Sequence, residues 1–426
     1  MKEIILKESE VTGITDNELF LAIKESLGNC SSYKKVLIIP PDFTRSHSGA
    51  GKITAMYYAL LKDSCQVDIM PALGTHEPMS RQECAAMFGD SVPGDCIINH
   101  NWKTDVKKIG EVPREFVREI SEGLVDNSID VELNKRLLDK SYDLIISVGQ
   151  VVPHEVAGMA NYSKNIFVGC GGKSMINQTH MLGAFYGMEK IMGRDYSPVR
   201  KVFDYAENKY LKNIPLLYVL TVTSQEEERT VMHGVFIGRG RSIFEEAVAL
   251  SQELNISFVD RPLKKVVVYL EEKEFKSTWL GNKAVYRTKM AMADGGELII
   301  IAPGVRKFGE YHENDRVIRK YGYAGRERIL ELCRECEDLK NNLSVAAHLI
   351  HGSSDDRYHI VYACEKLSKE EIEQVNYKYM PLSEACDKYR PDRLIEGFNI
   401  LEDGEEIFYI SNPALGLWAE TGRFFK

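Results

Sequence analysis

The stretch "KVLIIPPDFTRSHSGAGKIT" (Lys35–Thr54) decides the fold, because it passes from a buried strand through a polar turn into a helix. Its first residues are a continuous apolar run, typical of a strand that is covered on both faces. Asp42, Thr44 and Arg45 follow at the carboxyl end of that strand, and after the glycines the apolar spacing from residue 53 to 60 predicts a helix. An arginine and backbone N–H groups at a strand-to-helix turn indicate a site for an anion.

The same alternation recurs in the first half of the chain. Gln66–His76 and Tyr142–Gly149 are further apolar runs that end in loops, and "SRQECAAMFGD" (Ser80–Asp90) begins with a serine suited to cap a helix. Strands that alternate with helices predict an α/β fold with mostly parallel sheets.

A length of 426 residues predicts two domains, since one hydrophobic core seldom grows that large. A helical run ends near residue 254 and gives way to Pro262 and the strand "KVVVYL", so we place the boundary near residue 260. We expect an N-terminal α/β domain over 1–260 and a second α/β domain over 261–400, with the active site in the cleft between them. The tail, 401–426, is expected to pack back on the first domain.

Composition narrows the class of protein. A net charge of −9 argues against general nucleic-acid binding, and no apolar run reaches the length of a membrane span. The N-terminus lacks the apolar segment of a secretory signal, so we expect a cytoplasmic enzyme with a small-molecule substrate. The nine cysteines are scattered, and Cys333 and Cys336 lack a second pair for a metal, which favours reduced structural thiols.

Three predicted strands deliver ionisable residues to one edge of the sheet. Asp42 and Arg45 follow the first strand, His76 the second and His154 the third. Ligands of open parallel sheets bind beyond the carboxyl ends of the strands. Two imidazoles there suit a reaction that needs a proton acceptor on either side of one carbon, although either histidine alone would more often satisfy loop backbone.

The segment from His154 to His180 is rich in glycine and lysine, yet it matches no standard nucleotide fingerprint. A phosphate-binding P-loop ending in "GGKS" would need glycine at Phe167, and a dinucleotide motif starting at Gly169 would need glycine where Ser174 stands. Neither ATP nor NAD is therefore indicated.

In the order of its motifs the chain resembles the lactate racemase family, enzymes built around a nickel-pincer nucleotide. The matching positions are Asp42–Arg45 (D-x-T-R), Gly74–Pro78 (G-T-H-x-P), the series His154, Lys164 and His180, and Lys289 ahead of the Gly295–Gly296 turn. The resemblance implies a racemase or C2-epimerase of a 2-hydroxy acid, in which a base takes the hydroxyl proton while C2 passes hydride to the cofactor and takes it back.

The resemblance also implies a role for each matching residue. His76 and His154 correspond to the acid–base pair. Lys164 corresponds to the lysine attached covalently to the thiocarbonyl carbon of the pyridinium mononucleotide, and His180 to the ligand that completes a square-planar Ni(II).

The nucleotide and the substrate are assigned residues in the same way. Asp42, Phe43, Thr44 and Arg45 would hold the mononucleotide, with Arg45 facing phosphate and Asp42 the ribose hydroxyls. Lys289, with Tyr286 three residues before it, would meet the substrate carboxylate. The implied partners are the substrate and the enzymes that synthesise the cofactor, and self-association is left open.

Three departures from the family pattern point away from lactate. "MANYSK" replaces a glycine-rich run before Lys164 and adds bulk beside the expected cofactor pocket. Tyr286 replaces glutamine, and 342–359 lack the pocket tryptophan. A roomier pocket with polar side chains favours a larger 2-hydroxy acid, such as an aldonic sugar acid; the polar set is Tyr286, Arg287, His348 and His351. Two alternatives remain: a nicotinamide-dependent hydroxyacid dehydrogenase and a non-catalytic nickel-cofactor-binding protein.

Overall fold

The computed structural model describes residues 3–8, 12–29, 32–226, 229–414 and 416–425. It divides the chain into two units. The first comprises Met1–Tyr186 and Ile191–Leu254, and the second comprises Gly187–Lys190 and Asn255–Lys426.

The first unit alternates strands and helices through most of its length. Its elements are β1 (Ile4–Lys7), α1 (Asp16–Leu27), β2 (Lys35–Ile39), α2 (Ala50–Leu61), β3 (Gln66–Ile69), α3 (Arg81–Phe88), β4 (Val106–Val112), α4 (Arg114–Ile120), β5 (Ile129–Asn134), β6 (Leu144–Gln150), β7 (Pro153–His154), β8 (Gly158–Met159), α5 (Lys173–Tyr186), α6 (Pro198–Tyr210), β9 (Leu216–Glu226), β10 (Arg229–Gly238) and α7 (Arg241–Asn255).

The main sheet of the first unit has the order β1-β10-β9-β6-β2-β3. Strands β9, β6, β2 and β3 are parallel, and β10 and β1 continue the sheet antiparallel. Val36 and Ile38 of β2 enter the core on one face, and Leu37 and Ile39 enter the core on the other. The strand is therefore apolar throughout because both of its faces are covered.

The second unit repeats this pattern. Its elements are β11 (Ser257–Val259), β12 (Leu263–Tyr269), α8 (Thr278–Gly281), α9 (Lys283–Thr288), β13 (Met292–Ile301), α10 (His312–Tyr321), α11 (Arg326–Glu335), α12 (Glu337–Asn341), α13 (Leu343–His351), β14 (His359–Cys364), α14 (Lys369–Gln374), β15 (Lys378–Pro381), α15 (Leu382–Tyr389), β16 (Gly397–Ile400), β17 (Glu406–Ile410), β18 (Trp418–Glu420) and α16 (Thr421–Phe424). The sheet has the order β15-β14-β13-β12-β17-β16, with only β16 antiparallel to its neighbour.

The predicted fold class, α/β with mostly parallel sheets, is confirmed. The tail is a correction to the expected organisation, because β17 lies between β12 and β16 and β18 pairs with β11. Both strands place the tail in the second unit rather than on the first. Residues 407–410 are buried and apolar, and they gain ladder hydrogen bonds to β12 on one side and β16 on the other.

Two further observations concern the whole described chain. Every cysteine within it is free. No helix in the same residues is both long and apolar enough to cross a membrane.

Close packing of α2 on α3 gives a test of the first unit. A Cβ added to Gly51 would lie 2.0 Å from the carbonyl oxygen of Met87. We expect Gly51→Ala to lower the free energy of unfolding by about 1–3 kcal/mol, because the backbone contact outweighs the gain in helix propensity. Chemical denaturation of the purified protein measures this change in the free energy of unfolding. The matched control is Gly94→Ala, where a Cβ meets nothing within 4 Å; equal effects of the two substitutions would contradict the assigned packing.

Candidate active site

A cavity of about 230 Å³ lies beyond the carboxyl ends of β2, β3 and β6. The polar side chains that line it are Asp42, Arg45, Thr75, His76, Gln150, His154, Glu155, Asn161, Lys164, Asn165 and His180. Six of the residues singled out from the sequence are thus brought together: Asp42, Arg45, His76, His154, Lys164 and His180. Their predicted roles stay predictions.

Asp42 connects the ends of β2 and β3 through His76. Its Oδ2 lies 2.5 Å from Nδ1 of His76, and its Oδ1 accepts from the backbone N–H of Thr44 at 3.0 Å and from the Thr44 hydroxyl. Burial raises the pKa of Asp42, but the hydrogen bonds from His76 and Thr44 outweigh burial and leave that pKa lowered. Asp42 is therefore ionised at neutral pH and orients His76.

The other residues of the D-x-T-R turn have different surroundings. Phe43 packs against the hydrophobic core between the sheet and its helices. Arg45 donates to the Thr44 hydroxyl at 3.1 Å and lines the cavity. Of the four residues predicted to hold a nucleotide, Asp42 and Arg45 line the cavity.

His154 is held at a sharp turn between the short strands β7 and β8. Its Nδ1 accepts hydrogen bonds from the backbone N–H groups of Val156 at 3.1 Å and Ala157 at 3.4 Å. Burial, and then the charge of Lys164, hold the pKa of His154 well below its usual range. His154 is therefore neutral at neutral pH.

Lys164 follows a loop whose backbone is strained. Asn161 has a φ of 61° and Tyr162 a φ of 55°, left-handed values that residues other than glycine rarely adopt. The buried side chain of Arg200 holds this loop in place through hydrogen bonds. Its Nη2 donates to the Met159 carbonyl at 2.6 Å, and its Nη1 donates to the Asn161 carbonyl at 3.3 Å and to the Ser163 hydroxyl at 3.0 Å.

The bulk of "MANYSK" points away from the cavity, contrary to the concern it raises in the sequence. The ring of Tyr162 stacks on Phe244 at 4.9 Å and tilts against Tyr218 at 4.3 Å, and its hydroxyl donates to the Arg239 carbonyl. Of these larger side chains only Asn161 lines the cavity, where it covers Gly149 so closely that a Cβ there would lie 1.8 Å from the Asn161 amide.

Burial changes the chemistry of Lys164. Desolvation, and then the nearby charge of Arg45, lower the pKa of its ammonium to about 7. Glu155 and Asp42 act in the opposite direction, and Arg200 adds to the lowering. Lys164 is therefore a largely neutral nucleophile slightly above neutral pH.

His180 lies on α5, about two turns after its first residue, and lines the cavity. Its Nδ1 lies 2.6 Å from the Ile176 carbonyl oxygen, which only accepts, so Nδ1 carries the proton and Nε2 keeps a lone pair. Burial also lowers the pKa of His180 below the usual value of histidine. A neutral imidazole with its other nitrogen anchored in this way suits a metal ligand.

The glycine-rich turn before α5 serves packing. The carboxylate of Glu132 accepts from the backbone N–H of Ser174 at 2.8 Å, so an anion already occupies the N-terminus of α5. A Cβ on Gly171 would lie 1.8 Å from the Phe167 carbonyl oxygen, and one on Gly172 would lie 2.4 Å from Glu132. This turn has no room for a phosphate.

The residues predicted to meet the substrate lie in the second unit. Lys289 is 5% exposed and its Nζ lies 2.5 Å from Oδ2 of Asp355. Asp355 also accepts from the backbone N–H of Arg326 at the start of α11. Tyr286 stands edge-on to His351 at 6.3 Å.

Two members of the predicted polar set have structural partners. His348 stacks on Trp279 at 4.3 Å and bonds to the hydroxyl of Tyr323, and burial lowers its pKa to about 3. Arg287 donates to the Gly416 carbonyl at 2.6 Å.

Sequence reasoning missed four residues around Lys164 and Lys289. Glu155 adjoins a singled-out histidine, so its position was a usable signal. Asn161 lies in the "MANYSK" segment already noted as unusual, whereas Arg200 and Asp355 offered no signal, since each acts through a contact that only the folded chain makes.

Comparison with known proteins finds a family model that matches part of the chain. A model described as the lactate racemase N-terminal domain matches residues 21–192. A search of the curated proteins gives no significant match. The predicted resemblance to the lactate racemase family is thereby confirmed for the N-terminal part.

Two solved structures are similar over nearly the whole chain. One, a protein from Thermotoga maritima, is 23% identical with a TM-score of 0.77, over 97% of this chain and 99% of that one. The other, the lactate racemase apoprotein from Thermoanaerobacterium thermosaccharolyticum, is 17% identical with a TM-score of 0.69, over 94% of this chain and 93% of that one. At these identities the likeness shows a shared fold.

The lowered pKa of Lys164 can be measured directly. We expect its acetylation by acetic anhydride to reach half its maximal rate near pH 7, as followed by mass spectrometry of the Lys164 peptide. Arg45→Met should move this midpoint upward, because a neighbouring cation is lost. Arg81→Met, which removes an arginine outside the cavity, is the control. A midpoint more than about two pH units higher in the unmodified sequence would contradict the prediction.

Proposed function

Because residues 21–192 match the lactate racemase N-terminal domain, we propose that this protein is a racemase or C2-epimerase of a 2-hydroxy acid that uses a nickel-pincer nucleotide. The observation that carries the proposal is one cavity lined by Lys164, His180, His76 and His154. A lysine nucleophile, a metal ligand and two histidines in one small space are the groups such a reaction requires.

The residues fit this cofactor. The neutral amine of Lys164 would hold its organic part covalently, and Nε2 of His180 would hold the nickel. Among the described residues no three His, Cys, Asp or Glu side chains gather into a metal site. A metal in this cavity would therefore take most of its ligands from an organic group, which is how a pincer binds nickel. Arg45 would offset the charge of the phosphate.

When bound, the cofactor supplies the acceptor and donor of the hydride at C2 of the substrate. The chain's own residues handle the proton. Asp42 holds His76 through Nδ1, so that Nε2 of His76 accepts the hydroxyl proton and returns it to the alkoxide formed on the way back. His154 faces the same cavity and would accept the hydroxyl proton of the antipode.

Lys289 of the second unit would bind the substrate carboxylate. Because Asp355 already pairs with it, a substrate carboxylate would have to displace or share that partner. A substrate with additional hydroxyl groups would gain hydrogen bonds to the Asp355 carboxylate, which is one reason to favour a polyhydroxy acid over lactate.

Of the alternatives, a nicotinamide-dependent dehydrogenase is disfavoured, since Glu132 occupies the helix N-terminus after the glycine-rich turn. A non-catalytic binding protein remains an outcome of the tests below.

Histidine variants separate metal binding from catalysis. In protein co-expressed with cofactor-synthesising enzymes, His76→Ala should lower interconversion by roughly a thousandfold while nickel stays bound, because only the base is lost. His180→Ala should lose nickel. Elemental analysis, the mass of the Lys164 peptide and a chiral assay provide the readouts. The control is His312→Ala, an exposed histidine of α10. Full cofactor occupancy without turnover in the unmodified sequence would favour the non-catalytic alternative.

Substrate size is tested with deuterium at C2. We expect aldonic acids of four to six carbons to invert with kcat/KM about tenfold or more above that of lactate, since a hydrogen-bonding pocket discriminates against a methyl group. The deuterium should stay at C2, because the hydride that leaves C2 is given back to C2 without exchange with water. Loss of the label to water would contradict the hydride route, and a preference for lactate would contradict the assigned substrate class.

A further inference from the structure

Asn161 lines the cavity at a position where its backbone conformation favours glycine. Its φ of 61° is left-handed, and glycine adopts such a conformation at less cost than any residue with a Cβ. Strained residues of this kind cluster at sites that bind ligands. The side chain of Asn161 is therefore a candidate for a ligand contact in the "MANYSK" segment.

The amide of Asn161 is held in one orientation. Its Oδ1 accepts from the backbone N–H of Tyr162 at 2.8 Å, and its backbone carbonyl accepts from Nη1 of Arg200 at 3.3 Å. Its Nδ2 lies so close to Gly149 that a Cβ there would be 1.8 Å away. Asn161 is 8% exposed, and within the part of the chain that the structure describes its Nδ2 makes no hydrogen bond. A fixed N–H donor is thus left for a ligand in the cavity.

Asn165 offers the opposite end of its amide. Its Nδ2 donates to the Ser147 hydroxyl at 2.9 Å and to the Ile39 carbonyl at 3.3 Å. Its Oδ1 lies 3.3 Å from where a Cβ on Gly169 would be, and no donor among the described residues bonds to it. Asn165 is also 8% exposed and lines the same cavity. This amide therefore leaves an acceptor for a ligand.

The two amides follow one strand. Asn165 bonds to Ser147, Asn161 covers Gly149, and residues two apart on β6 lie on the same face. This wall of the cavity combines an N–H donor with a carbonyl acceptor, and neither carries a charge. A hydroxyl group both donates and accepts, so the wall complements hydroxyl groups, whereas a carboxylate or a phosphate would call for donors alone.

We propose that Asn161 and Asn165 form a subsite for the hydroxyl groups of a polyol and that Asn161 determines specificity for them. Two ligands of the proposed function carry such groups, the chain of a polyhydroxy acid beyond C2 and the ribose of the mononucleotide. Asp42, the residue expected to meet the ribose, is engaged by His76 instead. The identity of the two ligands rests on the proposed function, but the affinity of the cavity for hydroxyl groups does not.

Asn161→Gly separates recognition from folding. Glycine keeps the left-handed turn and removes the amide, so we expect the free energy of unfolding to change little. The matched control is Asn376→Gly, because Asn376 is also left-handed, with a φ of 68°, and is exposed outside the cavity. Chemical denaturation checks that both variants are folded before their binding is compared.

Binding is measured on the cofactor-free protein by ligand-observed nuclear magnetic resonance titration with gluconate, ribose 5-phosphate and lactate. Asn161→Gly should bind at least one of the two polyols about five- to tenfold more weakly, because one hydrogen bond is lost. Weaker gluconate binding identifies the substrate chain as the ligand, and weaker ribose 5-phosphate binding identifies the nucleotide. Lactate, which has no hydroxyl beyond C2, should bind both sequences equally, and Asn376→Gly should match the unmodified sequence throughout.

Three results would overturn the subsite. They are unchanged affinity of Asn161→Gly for both polyols, an equal loss for lactate, and failure of the unmodified sequence to bind either polyol.

The cofactor-loaded enzyme gives a second measurement. If the substrate chain occupies the subsite, Asn161→Gly should lower kcat/KM for gluconate about five- to tenfold relative to kcat/KM for lactate. If the ribose occupies it, the mass of the Lys164 peptide should show a smaller loaded fraction, and the two acids should be affected equally. If the loaded unmodified enzyme inverts no 2-hydroxy acid, the proposed function fails, while the titration of the cofactor-free protein still decides the subsite.

Discussion

The burial of several basic side chains in one small cavity is the constraint on which the site depends. Lys164, His154 and His180 are enclosed together, with Arg45 at their edge. Taking a cation out of water costs several kcal/mol, and a second cation nearby adds to that cost. The groups that can release a proton therefore do so. What remains is a set of neutral nitrogens, each with a lone pair or an N–H in a defined direction.

The sheet brings these basic residues together without placing them in its own hydrophobic core. Its parallel strands end at one edge, and the loops beyond them supply the basic residues, while apolar strand interiors carry the stability of the unit. The ionised carboxylate of Asp42 joins two of those loops through His76. The strained loop before Lys164 is held by Arg200, which is itself fully buried. Strain near Lys164 is thus compensated by a guanidinium that donates hydrogen bonds to three oxygens of the same loop.

How much of this was predictable follows from the range of each interaction. Strand ends and helix starts are local, so the apolar runs that end before Asp42, His76 and His154 predicted the fold class and placed these three residues on one edge of the sheet. The Asp42–His76 pair joins residues of different loops, and the sequence alone suggested a ribose contact for Asp42 instead. Arg200 lies within an ordinary amphipathic helix, and nothing local marks it as the anchor of another loop. The position of the tail failed for the same reason: strand pairing depends on residues far apart along the chain.

The tail strand has a consequence for synthesis on the ribosome. Strand β12 pairs with β17 on one side, and β17 in turn separates β12 from β16. All residues of the first unit precede residue 255 and leave the ribosome before the second sheet does. Translation proceeds at about 5–20 residues per second, so the flank of β12 stays exposed for several seconds or more before β17 appears. During that interval the apolar edge of the second sheet is open to wrong partners, and chaperone demand in the cell should concentrate on this half of the nascent polypeptide.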